Sequence, residues 1–488
     1  MNLLQALRLG STSRLALVGS GGKTTALFQL ARQLQAAGAR TVLLTTTTHL
    51  ALAQLEFADR SIEISSLEDL SVFDETLPPG VNLYHGRING ERVSGLEEDL
   101  LAGVLTLAEK HQAPLLIEAD GSRQRPLKAP GEHEPALNVV QAGSLSNRAS
   151  GEGGQANSLP YRAIDCVIVT VGLSGLGKPL DSNWVHRPEI FAELSGLDLG
   201  ADISSAGLAR VLTHPQGGLK NIPAGARRVA LLNQANTPAL QAAGGLLGQR
   251  LLENSYDAAV LAALLPLRPL EPPSVPLDEP EQGTEGKIFL ALEPVAGIIL
   301  AAGASSRFGQ PKPLLTWRGE TFVHRIARSA LEAGLSPVAL VSGAYADEVQ
   351  QAVGDLPVKN VYNPDWVSGQ SSSLVAGLRS LPARTGGAVF LLGDQPQTPV
   401  TLLRSLYDRH AETLAPILAP LIDGRRGNPV LFDRQTFADL LALQGDTGGR
   451  ALFARYPVTW LPWHDSSQLL DIDRPEDYQQ LLAMESTQ

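Results

Sequence analysis

The sequence has 488 residues, 43% of them hydrophobic and 18% charged, with a formal net charge of -11 and one cysteine. That length exceeds what one core usually organises, so two or three domains are expected. The acidic balance argues against a nucleic-acid partner, whose phosphates are held by clustered Lys and Arg, and one cysteine excludes an intrachain disulfide or a cysteine metal site.

The first apolar run, LALVG, leads into VGSGGKTT at residues 18–25. Gly19, Gly21 and Gly22 let the backbone turn closely around a ligand, and Lys23 and Thr24 supply a charge and a hydroxyl where the helix TTALFQLARQLQAAG begins. The loop resembles a P-loop, although Leu17 stands where the first glycine of that pattern belongs. Phosphate binding is the reading, because a purely structural turn has no need of Lys and Thr there. TVLLTT and PLLIEAD follow as buried strands, and the second delivers Glu118 and Asp120 to the edge where an α/β sheet places metal- or water-orienting carboxylates.

The polar stretch QAGSLSNRASGEGGQANSLP at 141–160 reads as a mobile loop. CVIVTVG and RVALLN are further strands, and Cys166 reads as a small buried hydrophobe. VALLNQAN resembles the guanine-reading loop of GTPases, but Gln234 and Asn236 replace the expected Lys and Asp, so no GTP preference is expected. The run AAVLAALL stops at Pro266, short of a membrane span, and MNLLQALRLG lacks the pattern of a secretory leader, so a cytoplasmic protein without a membrane partner is expected.

Residues 266–290, rich in Pro and acidic groups, read as a semi-rigid linker between residues 1–265 and 291–488. The strand–helix alternation then restarts with VAGIILAAG, FVHRIARSALEAG, PVALVSG and AVFLLGD. The expected fold class is therefore α/β, as two Rossmann-like three-layer domains with helices on both faces of a mainly parallel sheet.

The second half opens on LAAGASSRFGQPK at 300–312. Ala301, Ala302, Gly303 and Ser305 let backbone N–H groups approach ligand oxygens, and Arg307 and Lys312 add fixed charge, a combination that suits a nucleoside triphosphate. Asp394, in LLGDQP, follows an apolar strand, and a carboxylate beside a triphosphate implies Mg²⁺. DIDRPEDY adds Asp471 and Asp473, which either bind metal or cap the helix that opens at Pro475.

Together with NPDWVSGQSSSLVAGL, GRRGNPVLF and GDTGGR, these segments resemble in order the signature set of the molybdenum-cofactor nucleotidyltransferases, which are MobA-like, from about residue 295 to the end. Ala302 and QSSSLVAGL resemble the cytidylyl branch, since guanylyl relatives usually carry Gly and a GPLAGL-like segment there. The resemblance implies a nucleotide-diphospho-sugar transferase-like fold and transfer of CMP from CTP to the terminal phosphate of molybdopterin. On it, Asp394 and Asp473, rather than Asp471, hold Mg²⁺, and Arg307 and Lys312 stabilise the leaving pyrophosphate. Ser371, Ser372 and Ser373 contribute to base reading, and Asn428 and Arg450 face the acceptor. Asn428 stands where the family often shows His.

In the first half, GSGGKTT, IEADGSRQRPLKAP, GEHEP, GLGKPL and VHRPE resemble the selenium-dependent hydroxylase accessory (YqeC-type) proteins over roughly residues 10–265. Lys128, His133, His186 and Arg187 match motifs of that family and would line a site. Both resemblances concern molybdenum hydroxylases, so the apo form of such an enzyme is an expected protein partner. Two other readings stay open: a nucleotide-sensing chaperone that delivers cofactor, and a nucleotidyltransferase acting on another small phosphorylated acceptor.

Overall fold

The computed structural model describes residues 1–135, 137, 164–266, 286–304 and 308–485. The loop expected at 141–160, most of the expected linker, and Ser305 and Arg307 lie outside the described residues. The chain divides into two compact units, Met1–Leu292 and Glu293–Gln488.

The first unit is built on β1 (Arg14–Gly19), β2 (Thr41–Thr46), β3 (Arg60–Glu63), β4 (Gly80–His85), β5 (Leu115–Glu118), β6 (Cys166–Gly172), β7 (Arg227–Asn233), β8 (Ala258–Leu264) and β9 (Gly286–Leu292). They form one sheet in the order β9-β8-β7-β6-β1-β5-β2-β4-β3. The central strands β6, β1, β5 and β2 are parallel to their neighbours and buried almost throughout, which is why they read as unbroken apolar runs rather than alternating ones.

β9 corrects the expected linker. Residues 286–290 are the first part of an edge strand that pairs antiparallel with β8, so the first unit extends to Leu292. The physical reason lies in the helix Pro238–Glu253 (α1), whose buried Gly244 and Gly248 have no side chains to hold it off the sheet. A Cβ at Gly248 would lie 2.6 Å from Leu292 Cδ1, and one at Gly244 would collide with Leu261. The glycines let the helix settle onto β8 and β9, and that contact recruits the strand.

The second unit carries β10 (Val295–Ala301), β11 (Val338–Ser342), β12 (Lys359–Tyr362), β13 (Gly387–Leu392), β14 (Ile417–Ile422), β15 (Val430–Asp433) and β16 (Val458–Trp463). Its sheet runs β12-β11-β10-β13-β15-β14, with β16 parallel to β14 and the short pair Arg425–Arg426 also on β14. β12, β11, β10 and β13 are mutually parallel, whereas β15 is antiparallel to β13, so this sheet is mixed.

Successive residues of β10 point to opposite faces, so Ile299 joins a core with Leu340, Ile326 and Leu403, while Ile298 joins another with Val341, Phe390 and Leu374. Helices Phe322–Glu332 (α2) and Val400–Thr413 (α3) cover the first face, and Gln370–Arg379 (α4) covers the second. The three-layer α/β expectation therefore holds. Among the described residues no helix is long and apolar enough to cross a membrane.

Candidate functional site

In the second unit, β10 and β13 end side by side, so Ala301, Ala302 and Gly303 lie next to Gly393 and Asp394. A Cβ at Gly393 would lie 2.8 Å from the Leu300 carbonyl oxygen, so only glycine lets the two strand ends approach this closely. Lys312 Nζ lies 3.3 Å from Asp394 Oδ2 and 2.7 Å from Asp473 Oδ1, with its side chain only 12% exposed. Burial opposes the Lys312 charge, yet Asp473 and Asp394 outweigh it and raise the ammonium's pKa. Burial likewise raises the Asp394 carboxyl against the pull of Lys312.

The two acidic residues before the last helix, Pro475–Glu485 (α5), separate in role. Asp477 Oδ2 accepts the backbone N–H groups of Asp473 at 2.9 Å and Arg474 at 2.8 Å, which caps the helix and leaves the Asp473 carboxylate for Lys312. Asp471 instead accepts from the Gln395 amide at 2.6 Å.

A cleft of about 550 Å³ opens beside these groups, lined by Ala301, Ala302, Gly303, Lys312 and Asp394, with Trp366, Gln370 and Asp446 also contributing. Ser373 reaches it, whereas Ser371 and Ser372 donate their hydroxyls to the carbonyls of Gly445 at 2.6 Å and Gly369 at 2.9 Å. Ser371 therefore fastens the start of α4 to the GDTGGR loop, and Ser372 closes on the residue just before the helix. Asn428 is half-buried and Arg450 exposed, and neither lines this cleft. Trp366 and Gln370 escaped the sequence reading, although WVSGQ directly precedes the serines that it used.

In the first unit, Gly19, Gly21 and Gly22 have φ of 90°, 77° and 117°. A Cβ at Gly21 would collide with Gly172, and one at Gly22 with the Asn233 amide, which itself donates to the Gly21 carbonyl at 2.8 Å. The helix Lys23–Ala36 begins directly after this loop, with Gly22 at its N-terminal cap position. Lys23 Nζ donates to the Gly19 carbonyl at 2.7 Å and lies 3.2 Å from Asp120 Oδ1 and 3.8 Å from Glu118 Oε1. Thr24 Oγ1 donates to Glu118 at 2.9 Å, and the Gly19 N–H donates to Asp120 at 2.9 Å.

The charges continue in alternation. Lys128 Nζ sits 2.8 Å from Asp120 and 2.7 Å from Glu134, and Arg187 grips Glu134 with both ends of its guanidinium at 2.7 and 3.1 Å. Glu118, Lys23, Asp120, Lys128, Glu134 and Arg187 thus form one chain of opposite charges, in which each buried ammonium has carboxylates to compensate its lost hydration. Burial opposes the charge of Lys23, but Asp120 and Glu118 outweigh it and raise its pKa, while burial raises Glu118 against the pull of Lys23. Burial and the charges of Arg187 and Lys128 hold His186 at about 4, so this imidazole is neutral at pH 7. His133 is exposed. Burial pushes the Cys166 thiol up to about 12, which makes it an inert core group.

Glu134 was missed as a site residue. The available signal was its place in GEHEP, between Lys128 and Arg187, both of which were picked. Burial would raise its carboxyl, but hydrogen bonds from Arg187 and Lys128 overcome that and hold it at about 2. A depressed folded pKa contributes stability that is full above the unfolded carboxylate range and lost as pH falls toward 2. Glu134→Gln is therefore expected to flatten the acid limb of first-unit stability between about pH 4.5 and 2, as read by urea unfolding across that range. An unchanged limb would show that the pairing with Lys128 and Arg187 does not act in solution.

A cleft of about 1160 Å³ runs along this network, lined by the loop, Glu118, Glu134, His186, Arg187 and Gln234 among others. Each unit thus presents a small-residue loop at the carboxyl ends of parallel strands, with a lysine held between carboxylates, as nucleotide-handling α/β proteins do.

Residues 297–460 match the model of the MobA-like NTP transferase domain, and residues 15–141 match that of the YqeC protein. The chain belongs to the MobA-like NTP transferase family through its second unit and to the YqeC family through its first. Uncharacterized protein YqeC of Escherichia coli K12 is 33% identical over 232 residues, covering 46% of this chain and 78% of that protein. Nicotine blue oxidoreductase of Paenarthrobacter nicotinovorans is 34% identical over 199 residues, covering 38% and 96%. Molybdenum cofactor cytidylyltransferase of Escherichia coli K12 is 27% identical over 183 residues, covering 37% and 92%.

Proposed function

We propose that the second unit transfers CMP from CTP to the terminal phosphate of the molybdopterin molybdenum cofactor and releases pyrophosphate. The observation that carries this is the Lys312 ammonium lodged between Asp394 and Asp473 beside the cleft at the ends of β10 and β13. Two carboxylates around one ammonium leave a local excess of negative charge, and an all-oxygen pair of this kind fits Mg²⁺, which takes one or two carboxylates plus phosphate oxygens. Asp394 and Asp473 would hold that ion, which supplies charge neutralisation on the triphosphate.

An oxygen of the acceptor's phosphate attacks the α-phosphorus of CTP, the bond to the α,β-bridging oxygen breaks, and pyrophosphate leaves with the electron pair. The attacking phosphate monoester is already largely dianionic at neutral pH, so no general base is required. The protein's task is alignment and charge neutralisation. Arg307 and Lys312 stabilise the leaving pyrophosphate, while Ala301, Ala302, Gly303 and Ser305 bring backbone groups to the nucleotide. Ser371 and Ser372 shape the base end by fixing the start of α4, and Asn428 and Arg450 receive the acceptor. The product's class of user is an apo molybdenum hydroxylase, in the cytoplasm.

In the first unit, Gly19, Gly21, Gly22, Lys23 and Thr24 bind the phosphates of a second nucleotide, with Glu118 and Asp120 beside them and His186 and Arg187 on the same cleft. The fused chain thus pairs a cofactor-finishing transferase with a nucleotide-binding accessory unit.

The test is pyrophosphate release by the purified chain with Mg²⁺, molybdenum-loaded molybdopterin and CTP, GTP or ATP in turn. Release with CTP should exceed that with the other two by about tenfold or more, since a base edge with mismatched donors leaves buried polar groups unpaired. Absence of release with every nucleotide, in folded protein with intact cofactor, would sink the proposal.

A further inference from the structure

Of the five tryptophans in the chain, four use their rings inside the fold. Lys178 lies over Trp184, Arg318 and Arg325 lie over Trp317, Phe453 meets Trp460 edge-on, and Trp463 packs against the core that holds Ile299. Trp366 is the exception. It joins none of the cores around Ile299, Ile298 or Phe322 and, among the described residues, has no ring or cation partner. Half-buried, it lines the cleft that carries Lys312 and Asp394.

The ring is held in place from behind. A Cβ at Gly343, just past β11, would lie 2.6 Å from the Ala302 carbonyl oxygen and 2.8 Å from Cβ and Cγ of Trp366. Glycine there lets Trp366 settle against the end of β11, next to the turn at Ala302. Asn363, which follows β12 and is 2% exposed, fixes the same segment from the other side. It accepts the Asp365 N–H at 3.0 Å and donates to Ser372 Oγ at 2.8 Å and Ser373 Oγ at 3.0 Å. An aromatic face fastened in this way loses little freedom on meeting a ligand.

Topology indicates which ligand. The strand order β12-β11-β10-β13 is the 3-2-1-4 arrangement of a nucleotide-binding α/β sheet, in which phosphates lie at the turn after the first strand and the nucleoside extends toward the end of the second. Asp394 follows β13 on one side of the β10 turn, and Trp366 sits at the end of β11 on the other. Two strand spacings separate those ends by about 10 Å, the order of length that a ribose places between α-phosphorus and base. With its α-phosphate at Asp394, a nucleotide laid along this line brings its base to Trp366.

We infer that Trp366 is the stacking platform for the base of the nucleoside triphosphate. The inference rests on the reading of this cleft as the nucleotide site and adds what holds the base there. Every base has a π-face, so this contact supplies affinity and leaves the choice of base to polar groups.

The test titrates the full chain with CTP and Mg²⁺, without acceptor, by calorimetry and by tryptophan fluorescence. Trp366→Ala should weaken CTP about five- to hundredfold, while inorganic triphosphate, which lacks a base, should change less than about twofold. Trp366→Phe keeps a ring and should hold CTP within about threefold of the parent, yet lose the quenching that CTP causes in the parent. CTP bound as tightly by Trp366→Ala as by the parent would overturn the inference. Equal weakening of inorganic triphosphate would mark a distorted cleft rather than a lost base contact, and would overturn it as well. Quenching by molybdopterin and not by CTP would give the ring to the acceptor, with the same consequence. A parent chain that binds no CTP would instead remove the reading of the cleft as a nucleotide site, and the inference with it.

Discussion

Asp394→Ala is expected to lower CTP-dependent pyrophosphate release by about a hundred- to a thousandfold, the range seen when one preorganised electrostatic group is removed, with the chain still folded. The loss follows from two effects at one point. The variant deletes a carboxylate at the end of β13, and it frees Lys312 to collapse onto Asp473, its nearer partner at 2.7 Å, so both the proposed metal pair and the phosphate-facing charge are disturbed. Folding should survive, because the Asp394 side chain is one-third exposed and Lys312 keeps a counter-charge. Asp394→Asn keeps the shape and removes the charge, so a comparable loss in that variant would locate the effect in electrostatics. Asp471→Ala should be milder, since Asp471 is held by Gln395 rather than by Lys312. Transfer at the parent rate by Asp394→Ala, measured with intact cofactor and a thermal melt, would remove the metal assignment.

The parts of this molecule that sequence exposes best are those in which one residue type has one physical use. Fully apolar runs such as CVIVTVG mark strands buried on both faces, and they became β6 and its parallel neighbours. Glycines next to Lys23 marked a turn that other residues cannot enter, and the structure gives all three positive φ. The strand β9 was hidden because its identity depends on a partner, the glycine face of α1, rather than on its own pattern. The same holds for charge. DIDRPEDY offers Asp471, Asp473 and Asp477 without saying which one caps the helix, and only the folded chain assigns Asp477 to the cap, Asp471 to Gln395 and Asp473 to Lys312. Glu134 was similarly illegible, because an acidic residue in a loop becomes part of a site only when two distant cations, Lys128 and Arg187, fold onto it.

Lys23→Ala should act on the first unit alone. Its ammonium is about 2% exposed and faces two buried carboxylates, and removing one partner of a buried ion pair costs about 3–5 kcal/mol because the remaining charge is left unmatched. Asp120 retains Lys128 and the Gly19 N–H, and Glu118 retains only Thr24 among its short contacts, so the residual strain falls on Glu118. The sign of the pH dependence follows. Burial already raises the Glu118 carboxyl above its ordinary range, and Lys23 is the largest influence holding it down. Without Lys23 the folded state binds a proton there more tightly than the unfolded state does, so lowering the pH stabilises the variant relative to the parent. Urea unfolding at pH 8 and at pH 5.5 should therefore show a stability deficit that shrinks at the lower pH, while the transfer proposed for the second unit stays near the parent rate. A deficit independent of pH would mean that Glu118 does not carry the unmatched charge. Transfer lost along with the first unit's stability would show instead that the two halves of the chain work as one enzyme.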